Sequence, residues 1–208
     1  RVENIQTRME QAGLDAVLIY ADREHSGNFE YLTGFIPRFE EACLILHKQG
    51  PHFLWLGNEN LKMANFSRLV AETVHVPYFS LPNQPMKGAK PFSEYLKQSR
   101  LTPESKIGIV GWKLLHQDQE VPLYDLPAMI IDPLRQFVLD EQQLVPFADQ
   151  FIAPGIGVRT QVNANEVAHY EYGATLSGVG IFRSLMSLAI GKTEREVAQY
   201  LAQEGQPN

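Results

Sequence analysis

The chain has 208 residues, 44% of them apolar and 20% charged, enough for one large domain or one domain plus part of another. Its formal net charge is −6 with no Lys/Arg-rich run, which argues against a nucleic-acid backbone as the main partner. No apolar stretch approaches the ~18 residues of a membrane span. A single cysteine, Cys43, rules out an internal disulfide.

The opening "RVENIQTRMEQAG" is amphipathic, unlike a signal peptide, and its lack of an initiator Met fits a trimmed start. Val2, Ile5, Met9 and Ala12 share one helix face, and Gly13 is the expected stop. "DAVLIYA" (15–21) is apolar without alternation, the pattern of a strand buried on both faces. Asn28 is placed to cap a short helix through "FEYLT", with Gly34 as its left-handed end. "ACLILHK" and "PHFLWLG", joined by Lys48-Gln49-Gly50, predict a hairpin, so the sheet is mixed. Cys43 falls inside the first of these runs and reads as an inert core thiol in a reducing, cytoplasmic setting.

Residues 58–70 have roughly helical spacing, and 73–79 alternate like a strand. "PNQPMKGAKP" (82–91) is a loop, "FSEYLKQS" (92–99) a helix and "KIGIVG" (106–111) a strand. "AMIID" (128–132) reads as a sixth strand, with Pro133 in the first turn of a following helix. The expectation is an α/β domain over 1–150, a mixed sheet of five to six strands flanked by helices. A connector spans 151–164. From 165 to 208 the pattern is helical: Val167, Tyr170, Ala174, Ile181, Leu185 and Leu188 share a face up to Gly191. Gly173, Ser177, Gly178 and Gly180 on that segment suit close approach of another helix. Thr193 and Glu196 then form a capping box for a second helix. Two such helices need something to bury them, as the start of a second domain does.

The chemistry-bearing motifs are few. None of the six histidines pairs as H-x-x-x-H, and although His47 and His52 flank the hairpin turn, no third ligand accompanies them. No G-x-S-x-G is present, and "APGIGVRT" has G-x-G without a third glycine. What remains is "YADREHSGNFEYLTGFIPRFEE" (20–41). Asp22, Arg23 and His25 follow a buried strand directly, where open α/β sheets gather ligands. Arg38 has the fork geometry to meet an anion or carboxylate. Glu40 and Glu41 read as a paired acid and base, or as charged lead-in residues to "CLIL". The alternative throughout is a solvated loop in which Asp22 caps a turn.

"GLDAVLIYADREHSGNFEYLTGFIPRFEEACLIL" resembles the opening of the N-terminal domain of the creatinase, prolidase and Xaa-Pro aminopeptidase family. "NANEVAHYEYGATLSGVGIFRSLMSLAIGKTEREVAQYL" resembles the first helices of that family's pita-bread catalytic domain. The resemblance implies a metal centre of two Asp, one His and two Glu in the catalytic domain. After Gln150 this sequence has no Asp and one His, His169. No cofactor is therefore expected within it, and a divalent metal (Mn, Co or Zn) is expected in the missing catalytic domain. The resemblance further implies a homodimer, a short peptide as substrate of the full-length parent, and no catalytic residue here. Asp22, Arg23, His25, Arg38 and Glu40 become candidates for shaping a substrate pocket. Two other readings stay open: a free-standing interaction module of the same fold, or the N-terminal part of a creatinase-type C–N hydrolase.

Overall fold

Alternating side chains along β1 (Ala16–Ala21) explain the architecture of the whole first unit. Ala16, Leu18 and Tyr20 enter one hydrophobic core, and Val17, Ile19 and Ala21 the other. All six residues are buried, as an unbroken apolar run requires. The computed structural model describes residues 1–84, 86–116 and 121–201. Pro85 of the 82–91 loop and the terminal "GQPN" lie outside them. The chain forms two compact units, Arg1–Gln161 and Val162–Asn208.

The first unit begins with α1 (Val2–Gln11), which buries Ile5 and Met9; Gly13 follows with φ 65°. After β1 come α2 (Gly27–Thr33), β2 (Ala42–His47), β3 (Phe53–Leu56) and β4 (Glu72–His75). α3 (Phe92–Gln98), β5 (Ile107–Val110), α4 (Ala128–Phe137), β6 (Leu144–Pro146) and α5 (Asp149–Ile152) complete it. The six strands form one sheet in the order β4-β3-β2-β1-β5-β6. β2 is antiparallel to both β1 and β3, whereas β3–β4, β1–β5 and β5–β6 are parallel. Five strands therefore share a direction and only β2 opposes them.

Helices cover both faces. Ile5 and Met9 of α1 and Phe29 and Leu32 of α2 pack on one face, with Phe151 of α5. Tyr95 and Leu96 of α3 and Ile130, Ile131, Leu134 and Phe137 of α4 pack on the other. Each such fully buried aliphatic or aromatic side chain contributes about 1.5–3 kcal/mol. Trp55, with no exposed surface, donates its indole N–H to Ser99 Oγ at 2.6 Å.

Several local expectations change. The strand predicted at 128–132 is the first half of α4, and Pro133 sits inside that helix rather than at its start. Ile130, Ile131, Leu134 and Phe137 recur at helical spacing, and burial of that face outweighs the one backbone bond that Pro133 removes. The sixth strand is instead Leu144–Pro146, too short for a periodicity to register. Residues 61–66 form a 3-10 helix that buries no residue, not an α-helix. Strand β4 ends at His75, and Pro77–Phe79 continues as a 3-10 turn. The stretch read as a connector, 151–164, carries the end of α5 and a 3-10 turn, Val158–Thr160. Asn28 does not cap α2: Ser26 is the N-cap residue and Asn28 lies within the helix, buried. Gly34 closes α2 with φ 81°, a conformation glycine adopts without steric cost.

The second unit holds α6 (Ala164–Met186) and α7 (Glu194–Ala198). Asn163 and Glu166 cap α6 reciprocally, and Thr193 and Glu196 do the same for α7. α6 ends at Met186, short of the predicted Gly191, because Ser187 caps it; Gly191 follows with φ 93°. Val167, Tyr170, Ile181, Leu185 and Leu188 are exposed. A Cβ at Gly173 or Gly178 would meet nothing within 4 Å, so the close approach expected there is not made among the described residues. No described helix is long and apolar enough to cross a membrane.

Candidate functional site

Because only β2 runs against the others, one sheet edge collects the segments after β1, β3, β4, β5 and β6 and the segment entering β2. Asp22–His25, Gly57–Asn60, Gly111–Lys113 and Arg38–Glu41 all stand on this carboxyl edge. Ligands favour that location in open α/β sheets.

Asp22 and His25 are in direct contact. Asp22 Oδ1 accepts the backbone N–H groups of Glu24 and His25, each at 2.8 Å. His25 Nδ1 lies 3.0 Å from both carboxylate oxygens of Asp22. The Tyr20 hydroxyl donates to Asp22 Oδ2 at 3.2 Å. Burial pushes the Asp22 carboxyl up, but the hydrogen bonds from the His25 ring and from the His25 and Glu24 amides outweigh it, and the net shift is downward. The Tyr20 hydroxyl shifts upward: burial pushes it well above its ordinary range, helped by the Asp22 and Glu41 charges. The His25 ring stacks on Trp112, with centroids 4.1 Å apart and planes at 27°. Trp112 follows β5, so the parallel β1–β5 pairing builds this stack. Asp125 Oδ2 fixes the turn there, accepting the N–H groups of Trp112 and Lys113, each at 2.6 Å.

Arg23 and Arg38 meet at one ring. Their guanidinium carbons lie 5.8 and 4.9 Å from the centroid of Phe39. Both arginines are exposed, and Phe39 is 54% exposed. Phe39 has φ 69°, a left-handed backbone that costs a non-glycine residue about 1–3 kcal/mol.

Glu40 is placed differently from the other candidates. It is 3% exposed and lies beneath the loop rather than on its surface. Its Oε2 accepts from the backbone N–H of Glu59 (2.9 Å) and Asn60 (3.2 Å) and from Asn60 Nδ2 (3.4 Å). Its Oε1 is buried with no hydrogen-bond partner. Gly57 makes room for this carboxylate: a Cβ there would sit 2.6 Å from Glu40 Oε2. Glu41 is half-buried; burial raises its carboxyl, its own backbone N–H draws it down, and Asp22 and Glu40 raise it again, for a net upward shift. No hydrogen bond joins Glu40 to Glu41 among the described residues, so a proton-sharing acid–base pair is not formed.

Four residues that matter here were not singled out as site residues in the sequence: Phe39, Asn60, Trp112 and Asn28. Asn60 is fully buried and its Oδ1 accepts the Arg38 N–H at 2.9 Å. Asn28 donates to the Gly111 carbonyl at 2.7 Å and accepts from Arg159 Nη1 at 2.8 Å, tying α2 to the end of β5. A crevice of about 300 Å³ opens farther along the edge, between Leu114, Leu123, Tyr124 and Asp149; none of the sequence candidates lines it.

Metal ligation does not fit the residues present: among those described, no three His, Cys, Asp or Glu side chains cluster as ligands. His47 and His52 do meet across the hairpin, where His52 Nδ1 accepts the His47 N–H at 3.3 Å, and His47 Nε2 turns to the Ser99 carbonyl at 2.7 Å. Cys43 is fully buried in β2, and burial raises its thiol well above the ordinary value.

No curated protein matches the sequence. Among solved structures, the prolidase of Pyrococcus horikoshii superposes with a TM-score of 0.64 at 19% identity, over 96% of this chain and 46% of its own. X-Pro aminopeptidase of Thermotoga maritima gives 0.63 at 15% identity, over 97% and 47%. Xaa-Pro dipeptidase of Bacillus anthracis gives 0.61 at 14%, over 96% and 46%. The chain thus spans less than half the length of these proteins, and at such identities the likeness is one of fold. The model of the creatinase/prolidase N-terminal domain matches residues 1–112, more than half the chain. This chain belongs to the creatinase/prolidase N-terminal domain family.

Proposed function

We propose that this chain is the non-catalytic N-terminal domain, with the first helices of the next, of a metal-dependent Xaa-Pro peptidase-like hydrolase. Its work is oligomer contact and the shaping of a substrate pocket whose metal is held elsewhere. One observation carries the reading: Asp22, Arg23, His25 and Arg38 stand together on the carboxyl edge of the sheet, where the described residues include no group of three metal-ligand side chains. That edge offers charge and aromatic surface. The fold, and its likeness to prolidases, supports the peptide-hydrolase context.

In this reading the Asp22–His25–Trp112 cluster and the Arg23–Phe39–Arg38 cluster form a wall at the entrance of a neighbouring catalytic domain's pocket. A short peptide suits a pocket closed by such a wall. The divalent ion, Mn, Co or Zn, is bound by that domain, and no chemical step runs through the residues of this one. The test uses the uninterrupted reading frame that encodes this chain. Arg38→Ala and His25→Ala should raise KM for an Xaa-Pro dipeptide at least about fivefold with kcat within about twofold, the signature of lost binding common to ground and transition states. Unchanged KM in both variants overturns the reading.

A further inference from the structure

We propose that the outer edge of β4 is the surface through which two copies of this chain associate, Thr73 of each pairing antiparallel with His75 of the other. The proposal rests on the reading above for the expectation of an oligomer. The surface itself rests on the two outer strands of the sheet, β4 and β6, which are built differently.

β6 is a guarded edge. The Phe147 N–H reaches the Ile109 carbonyl at 2.9 Å, so by alternation Leu144 and Pro146 turn their backbone groups away from β5. Pro146 has no N–H to offer, and the Leu144 carbonyl accepts the Tyr124 hydroxyl at 2.6 Å. A proline and a covering side chain are devices that keep an edge from pairing. β4 has neither. The Glu72 and Val76 N–H groups reach the His52 and Leu56 carbonyls at 2.8 and 2.9 Å, so Thr73 and His75 direct N–H and C=O away from β3. Among the described residues no hydrogen bond is made to those backbone groups. Both side chains are exposed, the strand holds no proline or lysine, and its carboxylate, Glu72, is taken by Arg100 at 3.8 Å. Such an open row is completed by another strand.

The strand is complementary to itself. Antiparallel partners exchange both bonds where outward residues face each other. Within β4 one register lets both outward residues do so in both copies: Thr73 opposite His75 and His75 opposite Thr73, about a two-fold axis at Val74. It uses every outward N–H and C=O of the two strands. It also sets Glu72 of one copy opposite Val76 of the other, so the two Glu72 carboxylates stay apart. Continued beyond the strand, the same register turns Val70, 91% exposed, toward Tyr78 of the other copy, 40% exposed. The apolar surface on either side of β4 is thereby covered by the contact that satisfies its backbone. A foreign strand satisfies the backbone groups equally well; the match of Val70 to Tyr78 singles out a second copy.

The experiment is sedimentation equilibrium of the 208-residue chain, joined to backbone amide exchange resolved by NMR. The expected result at about 100 μM is a species of twice the 23.5 kDa chain mass, with slow exchange of the Thr73 and His75 amides that is lost on dilution. Thr73→Pro deletes an N–H that faces outward and so spares every bond to β3; it should raise the dimer dissociation constant at least about tenfold. Thr73→Val, which keeps the N–H, should stay within about threefold. Leu185→Glu on the exposed face of α6 should leave the dimer intact, which association through that helix would not. If Thr73→Pro fails to fold, exchange in the wild type decides alone. A dimer with fast exchange at Thr73 and His75, or one that Leu185→Glu dissociates and folded Thr73→Pro does not, overturns this surface and leaves the oligomer contact of the pocket-wall reading standing. A wild-type chain that stays monomeric overturns the second copy as occupant and leaves a foreign strand in its place. Neither result touches the pocket wall, which is judged by KM in the longer protein.

Discussion

Replacing Asn28 with alanine removes a side chain whose hydrogen bond joins α2 to the end of β5. Asn28 is 3% exposed, donates to the Gly111 carbonyl at 2.7 Å and accepts from Arg159 at 2.8 Å. Leaving the buried Gly111 carbonyl without a donor costs about 1–3 kcal/mol. Arg159 is exposed, so water replaces most of its lost bond and adds about 0.5 kcal/mol. The sum is about 1.5–3.5 kcal/mol, which lowers the urea midpoint by roughly 0.8–1.8 M at a slope near 2 kcal/mol/M. Gly111 precedes Trp112, so the same change should loosen the His25–Trp112 stack and shift tryptophan emission to the red. Equilibrium unfolding in urea, followed by far-UV circular dichroism and by tryptophan emission, reads both. A midpoint displaced by less than about 0.2 M would refute the claim that this bond is buried and used.

Ser99→Ala strips the Trp55 indole N–H of its partner at a site with no exposed surface, and should cost about 1–3 kcal/mol in the same urea titration. Glu41→Gln should stabilise the chain at neutral pH. The folded carboxyl is raised above its ordinary 4.5, so its favourable contribution is complete below that value and lost as pH rises through the folded one. Half-exposure keeps the gain near about 0.5 kcal/mol, and it should vanish on acidification below about 4.5. His47 and His52 carry the opposite sign. Burial lowers both from 6.5, so their neutral forms favour the fold; stability is full above 6.5 and falls as pH drops through the lower folded values. Thermal melts between pH 7.5 and 5 should show this loss, and His52→Gln should flatten it.

Much of the fold was written locally. β1 is one uninterrupted apolar run, the β2–β3 hairpin has its turn signal at Lys48-Gln49-Gly50, and the Thr193–Glu196 box marks α7 with two side chains three residues apart. The misreadings arose where local preference and tertiary burial disagree. Ile130-Ile131 has β-branched chemistry, yet the pair belongs to a helix face completed by Leu134 and Phe137. β6 is only three residues held by β5, so the strand exists through its partner and not through its own pattern. The site divides in the same way. Asp22 and His25 lie three residues apart, and their contact was within reach of the sequence. Asn28 resembled a cap because its true partner, Gly111, is 83 residues away. Glu40 read as half of an acid–base pair or as a charged lead-in residue because the amides that bind it come from Glu59 and Asn60, about twenty residues away. Trp112 reaches His25 only through the β1–β5 pairing, which no short stretch encodes.

The central claim is that this chain furnishes a wall to a catalytic centre and is not one. Proline release from an Xaa-Pro dipeptide by purified Arg1–Asn208, measured with Mn²⁺, Co²⁺ or Zn²⁺ and matched by equilibrium dialysis of the ion, tests it most directly. The expected result is release no faster than with the ion alone, and no stoichiometric site. Metal-dependent turnover, or one tightly held ion per chain, would contradict it.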